Sequence, residues 1–141
     1  IIPLESGLKG KILIECDDGF VRDVSAIHGK YRITEFTLKA IDLIIEKLKE
    51  IGLKNVIFVL DSKVSKSGEL ASLIRRKLIE GKIKGTAYTA KKADVFSLSF
   101  KSIIASSDAV IIEKAYKVLD LAGIILKEKL KNNKIINMKD P

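Results

Sequence analysis

"NVIFVLDSK", residues 55–63, is an apolar run that ends in an acidic residue, and it contains the clearest strand in the sequence. Its apolar positions are mostly β-branched or aromatic, which favours a buried strand. The same pattern occurs in "ILIECDDGF", residues 12–20, and in "IIASSDAVII", residues 103–112. Three apolar runs that each stop at an aspartate indicate a common role for the acidic residues.

Helical patterns separate these strands. Thr34 is an N-cap candidate for a helix that runs to Ile51 and ends at Gly52. Its apolar side chains recur at helical spacing and predict the inner face of the helix; they are Phe36, Ala40, Ile44, Leu48 and Ile51. Ser67 is a plausible N-cap for a second helix that reaches Glu80 and stops at Gly81.

The remaining segments complete an α/β pattern. Residues 85–90 predict a weaker strand, residues 91–100 fit a short helix or a loop, and residues 101–106 predict a strand. A long apolar helix is expected over 107–130, and residues 134–138 can add an edge strand. The polar stretch from Asp17 to Thr34 is expected to be a loop. Alternating strands and helices predict an α/β fold with a mainly parallel sheet.

Composition sets the class of protein. The chain has 141 residues, of which 47% are hydrophobic and 31% charged, which suits one folded domain and excludes a disordered chain. No apolar run reaches about 18 residues, so no membrane span is expected. The single cysteine, Cys16, and the absence of a secretory signal predict a reducing, cytoplasmic location. Abundant Lys and Glu with no Gln indicate a thermophilic prokaryotic source.

Positive charge is concentrated in one segment. The formal net charge is +8, and residues 63–84 hold seven Lys or Arg against two Glu. A basic stripe attracts polyanions, and nucleic acid first among them. A solvated helix face in a lysine-rich protein explains the same pattern.

The acidic residues at the strand ends predict a metal site. Asp17, Asp18, Asp61 and Asp108 each follow a predicted strand, and a parallel sheet gathers such ends at one edge. Clustered carboxylates repel one another unless a cation neutralises them, and oxygen ligands suit Mg²⁺ or Mn²⁺. For any single aspartate, a helix cap or a turn is the alternative explanation.

Other reactive residues carry weaker signals. His28 is the only histidine and Cys16 the only cysteine, so a zinc site of imidazole and thiolate ligands is not expected. It is interpreted as a surface or packing residue, with a general base or a phosphate contact as the alternative. Arg22 or Arg32 can instead pair with Asp18 or Asp23, which would make the 17–32 segment structural.

Taken together, "CDDGFVRDVSAIHGKYRITEFT", "FVLDSKVSKSGELA" and "ASSDAVII" resemble a prokaryotic family of unknown function within the PIN-like nucleases, which include the NYN branch. The resemblance implies a Rossmann-like three-layer α/β/α sandwich with a central, mainly parallel sheet, and metal-dependent hydrolysis of RNA phosphodiesters. By position, Asp61 and Asp108 match the middle and final acids of that superfamily, and Glu35 matches an acid of the second motif.

The chain departs from the superfamily at its start. PIN-like domains carry their first acid on the first strand, whereas this chain opens at "IIPLES", which resembles the residues after that acid. We therefore expect a domain over 1–131 whose first strand lies upstream, followed by a tail over 132–141. Either Glu5 or one of Asp17 and Asp18 replaces the missing acid, or the chain is catalytically incomplete.

The acidic residues at the strand ends predict a Mg²⁺ or Mn²⁺ site, and the resemblance to PIN-like nucleases implies that this site hydrolyses RNA. Asp61, Asp108 and Asp17 or Asp18 are the predicted metal ligands, with Glu35 as a further catalytic acid. The residues expected to contact substrate are Lys30, Arg32, Lys63, Lys66, Ser67 and Ser106. The alternatives are a non-catalytic RNA-binding module and a protein-interaction domain. The apolar helix over 107–130 also suggests a homo-oligomer.

Overall fold

The computed structural model describes residues 1–24, 31–53, 55–93, 103–106, 117–130 and 135–137. This part of the chain is a mixed α/β fold. Its elements, in chain order, are α1 (Ile2–Leu8), β1 (Leu13–Glu15), β2 (Val21–Asp23), α2 (Glu35–Ile51), β3 (Val56–Asp61), α3 (Ser67–Glu80), β4 (Gly85–Ala90), β5 (Ile103–Ala105), β6 (Lys117–Leu119), α4 (Leu121–Lys129) and β7 (Ile135–Asn137). None of the helices described here is long and apolar enough to cross a membrane.

The strands form three small sheets. In the first, with the order β2-β1-β7, β1 runs antiparallel to β2 and parallel to β7, so that Leu13 lies opposite both Asp23 and Ile135. β3 pairs with β4, and β5 pairs with β6, both in parallel. The α/β class is therefore confirmed, but the described strands do not form one mainly parallel sheet.

Helix α2 has the ends that its sequence predicts. The Thr34 hydroxyl accepts a hydrogen bond from the Phe36 N–H at 3.2 Å, and the Thr34 N–H donates to Thr37 Oγ1 at 3.0 Å. These reciprocal bonds form a capping box, which satisfies two amides at the helix start. At the other end Gly52 adopts φ 73°, a left-handed conformation that favours glycine.

Two hydrophobic clusters share helix α2. Ala40, Ile44 and Leu48 pack into the first cluster with residues of α1, β1, β2 and α4. Ile41 and Ile45 pack into the second cluster with residues of α3 and β4. The predicted inner face of α2 is thus confirmed at Ala40, Ile44 and Leu48. The prediction omitted the buried Ile41 and Ile45, and it wrongly included Ile51, which is 43% exposed.

The stretch from Asp17 to Thr34 is not one long loop, so that prediction is wrong. β2 returns antiparallel to β1 through a short loop, where the Cys16 N–H donates to the Phe20 carbonyl at 2.9 Å. Gly19 completes the loop at φ 84°, which a residue with a Cβ rarely adopts. The sequence reading missed the hairpin because β2 is only three residues long and polar at two of them.

The helix predicted over 107–130 is confirmed at Leu121–Lys129 and wrong at Lys117–Leu119. Lys117–Leu119 is strand β6, and the helix begins only at Leu121. Asp120 accepts a hydrogen bond from the Gly123 N–H at 3.0 Å and caps α4. Residues 107–116, with Asp108, lie outside the described residues.

Two other helix predictions need correction. Helix α3 is preceded by Lys66 at φ 65°, and Ser67 is its buried first residue rather than its N-cap. Helix α1 was not predicted, and it buries Pro3 and Leu4. Strand β7 confirms the expected edge strand within 134–138.

Candidate nucleic-acid interface

A cleft of about 310 Å³ lies between the segment that enters α2 and the loop that leaves β3. We call it the basic cleft; it is lined by Tyr31, Arg32, Lys63, Val64 and Ser65. Arg32 and Lys63 are exposed. The fold thus brings together two of the residues that were predicted to contact phosphate.

The loop after β3 forms one wall of the basic cleft through hydrogen bonds of its own. An Asp61 carboxylate oxygen accepts the Lys63 N–H at 2.9 Å, and the Asp61 carbonyl accepts the Val64 N–H at 3.1 Å. The Ser62 N–H donates to the Ala90 carbonyl of β4 at 2.9 Å. Asp61 thus forms a turn through one carboxylate oxygen, and its side chain is exposed at the end of its strand.

A partly buried chain of hydrogen bonds supports Tyr31, which lines the cleft from the segment that enters α2. The Tyr31 hydroxyl donates to a carboxylate oxygen of Glu5 in α1, and the Thr37 Oγ1 lies 3.2 Å from the Tyr31 oxygen. Because the single hydroxyl proton of Tyr31 goes to Glu5, Thr37 is the donor in its contact with Tyr31. Glu5 is 4% exposed and Thr37 is 1% exposed.

The chain of hydrogen bonds has an electrostatic consequence for Tyr31. Burial, followed by the hydrogen bond to Glu5, raises the pKa of the Tyr31 hydroxyl well above its usual value. Ionisation would place a second negative charge beside Glu5 inside the protein and break the bond to it. Tyr31 therefore stays a neutral hydrogen-bond donor near neutral pH.

In the β1–β2 hairpin, the acidic residue Asp18 is paired with an arginine. Asp18 forms two hydrogen bonds with the Arg22 guanidinium, at 2.7 and 3.0 Å, and accepts the Phe20 N–H at 3.0 Å. The bond to Arg22 lowers the pKa of Asp18 and raises the pKa of Arg22. The structural alternative for the hairpin, an aspartate–arginine pair, is thus present.

The strand-end acids do not gather within the described part of the chain. β1, which precedes Asp17 and Asp18, and β3, which ends at Asp61, belong to different sheets. Among the residues that the structure describes, no three His, Cys, Asp or Glu side chains come together as a metal site.

The other predicted site residues have varied surroundings. Asp17 and Lys66 are exposed, and Glu35 is the exposed first residue of α2. Ser67 is buried, and Ser106 is half-buried after β5. Lys30 and His28 lie outside the described residues.

The basic segment 63–84 divides into structural and exposed charges. Arg75 donates to the Ala87 carbonyl at 2.7 Å, and Lys77 pairs with Asp42 at 2.6 Å. These two cations stabilise the packing of α3 against β4 and α2. Arg76 and Lys84 are exposed, as are Lys63 and Lys66.

The sequence did not predict the role of Tyr31 in the cleft or the role of Asp120 as a hydrogen-bond acceptor. An aromatic residue beside Arg32 was a usable signal for the cleft, because nucleic-acid sites combine aromatic and basic side chains. Asp120 Oδ2 also accepts the Val21 N–H at 2.8 Å, which connects β2 to α4. No local pattern reveals that second bond, since the two residues are far apart in the sequence.

Comparison with known proteins gives a family without an assigned activity. The family described as "Domain of unknown function (DUF5616)" matches residues 1–124. An uncharacterized protein of Methanocaldococcus jannaschii is 43% identical over 123 residues, which cover 86% of this chain and 58% of that protein. The chain thus spans less than two thirds of the length of this relative. No solved structure matches the chain.

Proposed function

We propose, from the premise that this chain belongs to the DUF5616 family, that it binds RNA through the basic cleft. The observation that carries the proposal is that exposed Arg32 and exposed Lys63, which come from different segments of the chain, line one cleft. Cations at such a site bind phosphate groups, and phosphate contacts supply most of the affinity for nucleic acid. The cleft volume of about 310 Å³ lies within the range of small-ligand sites.

The test is RNA binding by a cleft variant and by a charge-matched control. The double variant Arg32→Ala, Lys63→Ala removes both cations of the cleft. The control Arg76→Ala, Lys84→Ala removes one arginine and one lysine elsewhere in the chain. Arg76 lies about 14 Å along α3 from the start of that helix. Fluorescence anisotropy with a single-stranded RNA, over a series of salt concentrations, measures both affinity and its salt dependence.

The cleft variant is expected to bind at least about tenfold more weakly, and its salt slope is expected to fall by about 1.4, which corresponds to two lost phosphate contacts on a single strand. The control variant should lose much less affinity. Equal losses in the two variants would show that the overall charge of +8, and not the cleft, attracts RNA.

A second candidate function is hydrolysis of RNA with Mg²⁺ or Mn²⁺ beside the same cleft. Asp61 favours it, because this carboxylate is exposed next to the cleft and accepts only the Lys63 N–H among the described residues. Its second oxygen suits a hard cation, and Mg²⁺ often takes only one or two carboxylates together with substrate phosphate. A bound cation would activate water and neutralise phosphoryl charge.

In that candidate function the residues of this chain have separate tasks. Asp61 and Asp108 hold the cation, with Asp17 and Glu35 as further proposed acids. Arg32 and Lys63 orient the phosphate, so that the bond to be cleaved lies near Asp61. The resemblance to PIN-like nucleases supports this assignment, and so does the mixed α/β class. A three-layer PIN-like sandwich, a cytoplasmic location and a thermophilic archaeal source remain predictions.

Calorimetric titration of Mn²⁺ separates the two functions. Asp61→Asn and Asp108→Asn are each expected to weaken Mn²⁺ binding at least about tenfold, since each removes a charged ligand. Asp18→Asn is the matched control. Because Asp18 is already bound to Arg22, this substitution should leave the affinity for Mn²⁺ unchanged. RNA binding without any Mn²⁺ binding would identify a non-catalytic RNA-binding module.

A further inference from the structure

We infer that Tyr31 is a stacking residue for an unpaired nucleobase and makes the basic cleft selective for single-stranded RNA. The inference rests on the proposed function, and it names the class of RNA that the cleft accepts. Three features of Tyr31 support it: its place in the cleft, the fixed position of its ring, and the cations beside it.

Among the described residues that line the cleft, Tyr31 is the aromatic one, and it is half-buried. Its hydroxyl is bonded to Glu5 and in contact with Thr37. Since that polar end is already engaged inside the protein, the ring itself is what Tyr31 offers to a ligand. An aromatic ring offers stacking, which every base can use.

The hydrogen bonds also hold the ring in place before any ligand binds. Glu5 belongs to α1 and Thr37 to α2, so two helices fix the hydroxyl end of the side chain. The Thr34 N–H extends the chain of bonds by donating to Thr37 Oγ1 at 3.0 Å. A side chain that is already ordered loses little entropy on binding, which strengthens its contribution to affinity.

The two cations complete a nucleotide-binding arrangement. Arg32 and Lys63 lie on the same cleft as Tyr31, so a phosphate and a base of one nucleotide can be held together. In a duplex both faces of each base are covered by neighbouring base pairs. A ring inside a cleft therefore reaches only bases that are unpaired, as in single strands and loops.

The test compares three ligands of equal length: a single-stranded RNA, its duplex, and an abasic strand with the same phosphates. Wild-type protein is expected to bind the single-stranded RNA about 5–150-fold more tightly than the abasic strand, the range of one stacked base, and more tightly than the duplex. Tyr31→Leu should abolish the preference for bases while leaving the salt slope unchanged. Tyr31→Phe, which keeps the ring, should retain most of that preference.

Different results would overturn the inference and the proposed function. If wild-type protein binds the abasic strand or the duplex as well as the single strand, Tyr31 is not a stacking residue, although the cleft still binds phosphate. If Tyr31→Leu weakens the binding of the RNA and of the abasic strand equally, the effect of the substitution is structural and the inference is wrong. If Tyr31→Leu fails to fold, the inference is tested by comparing the three ligands on wild-type protein and on Tyr31→Phe. If none of the three ligands binds, the proposed function itself fails.

Discussion

At the residue scale, three aspartates that follow strands have three different partners. Asp18 binds the guanidinium of Arg22, Asp61 accepts the N–H of Lys63 in a turn, and Asp120 caps α4. A carboxylate accepts hydrogen bonds from any of these donors, so its position after a strand does not determine its use. The backbone that surrounds each aspartate decides which donor is within reach.

The contact between Asp120 and Gly123 predicts a large effect of a small substitution. A Cβ at Gly123 would collide with the Asp120 carboxylate. Gly123→Ala is therefore expected to lower the free energy of unfolding by about 2–4 kcal/mol, through overpacking and loss of the cap. Urea denaturation followed by circular dichroism measures this change.

Gly68→Ala is the control for that experiment. Gly68 lies in the first turn of α3, and a Cβ there meets nothing within 4 Å. Alanine also favours a helix more than glycine does, so this variant should be neutral or up to about 1 kcal/mol more stable. Equal destabilisation by both alanines would contradict the specific role of Asp120.

The pair of Asp18 and Arg22 predicts a stability difference that depends on pH. The hydrogen bond from Arg22 lowers the pKa of Asp18 in the folded protein. Its stabilisation is therefore present above the unfolded pKa, about 3.9, and is lost as the pH falls through the lower folded value. Asp18→Asn should lower the free energy of unfolding at pH 7 by less than about 1 kcal/mol, because the pair is partly exposed.

Denaturation of wild-type protein and Asp18→Asn over a pH series tests the sign. The difference between them should shrink as the pH falls through the lowered folded pKa of Asp18 and vanish below it. Asp17→Asn changes the exposed neighbour in the same loop and is the control for the loss of one negative charge there. A difference that persists at low pH would mean that Asp18 acts through the loop backbone alone.

At the scale of elements, ion pairs connect α2 and α4. Lys47 binds Glu128 at 2.6 Å and Glu50 at 3.3 Å, and Lys129 binds Glu50 at 2.7 Å and Glu46 at 3.3 Å. Isolated surface pairs contribute little, but a network contributes more as temperature rises, since the cost of desolvating charges falls. This network supplements the apolar packing of the two helices.

Removal of Lys47 from this network should therefore lower the melting temperature. Lys47→Gln is expected to melt below wild-type protein at low salt, and the difference should shrink at about 1 M NaCl, where the Debye length is about 3 Å. Lys49→Gln removes a charge from the same helix outside the network and serves as the control. Scanning calorimetry at both salt concentrations gives the comparison; a difference independent of salt would indicate packing by the lysine stem.

At the scale of the whole molecule, α2 contributes residues to both hydrophobic clusters, so we expect them to unfold as one cooperative unit. Its residues alternate between them, with Ile44 in one cluster and Ile41 and Ile45 in the other. If α2 separated from one cluster, the apolar side chains of the other cluster would become exposed as well. The apolar residues of α4 that suggested an oligomer are partly used in this core, since Ile125 and Leu126 are fully buried.

Substitutions in either cluster should consequently weaken the same unfolding transition. Leu126→Ala in the first cluster and Ile74→Ala in the second each remove a side chain that is 0% exposed, and each should cost about 2–5 kcal/mol. Ile79→Ala, at a residue 75% exposed, is the control and should cost much less. Two separate transitions in either core variant, seen by calorimetry, would contradict a single cooperative unit.

The candidate site was only partly predictable. Arg32 and Lys63 were expected to bind phosphate from their charge and their loops, and the fold places them on one cleft. The ring of Tyr31 was not singled out, because its role depends on Glu5 in a helix that the sequence reading missed. Asp108 lies outside the described residues, so its place in a metal site stays a prediction.

The sequence by itself determined the features that depend on near neighbours. Helix α2 begins after Thr34 and ends at Gly52 because caps act within one turn of a helix. Only the tertiary structure decided the β1–β2 hairpin, the bond from Val21 to Asp120, and the support of Tyr31 by Glu5. Val21 and Asp120, and likewise Tyr31 and Glu5, are distant along the chain. They meet only when burial of apolar side chains brings their elements together.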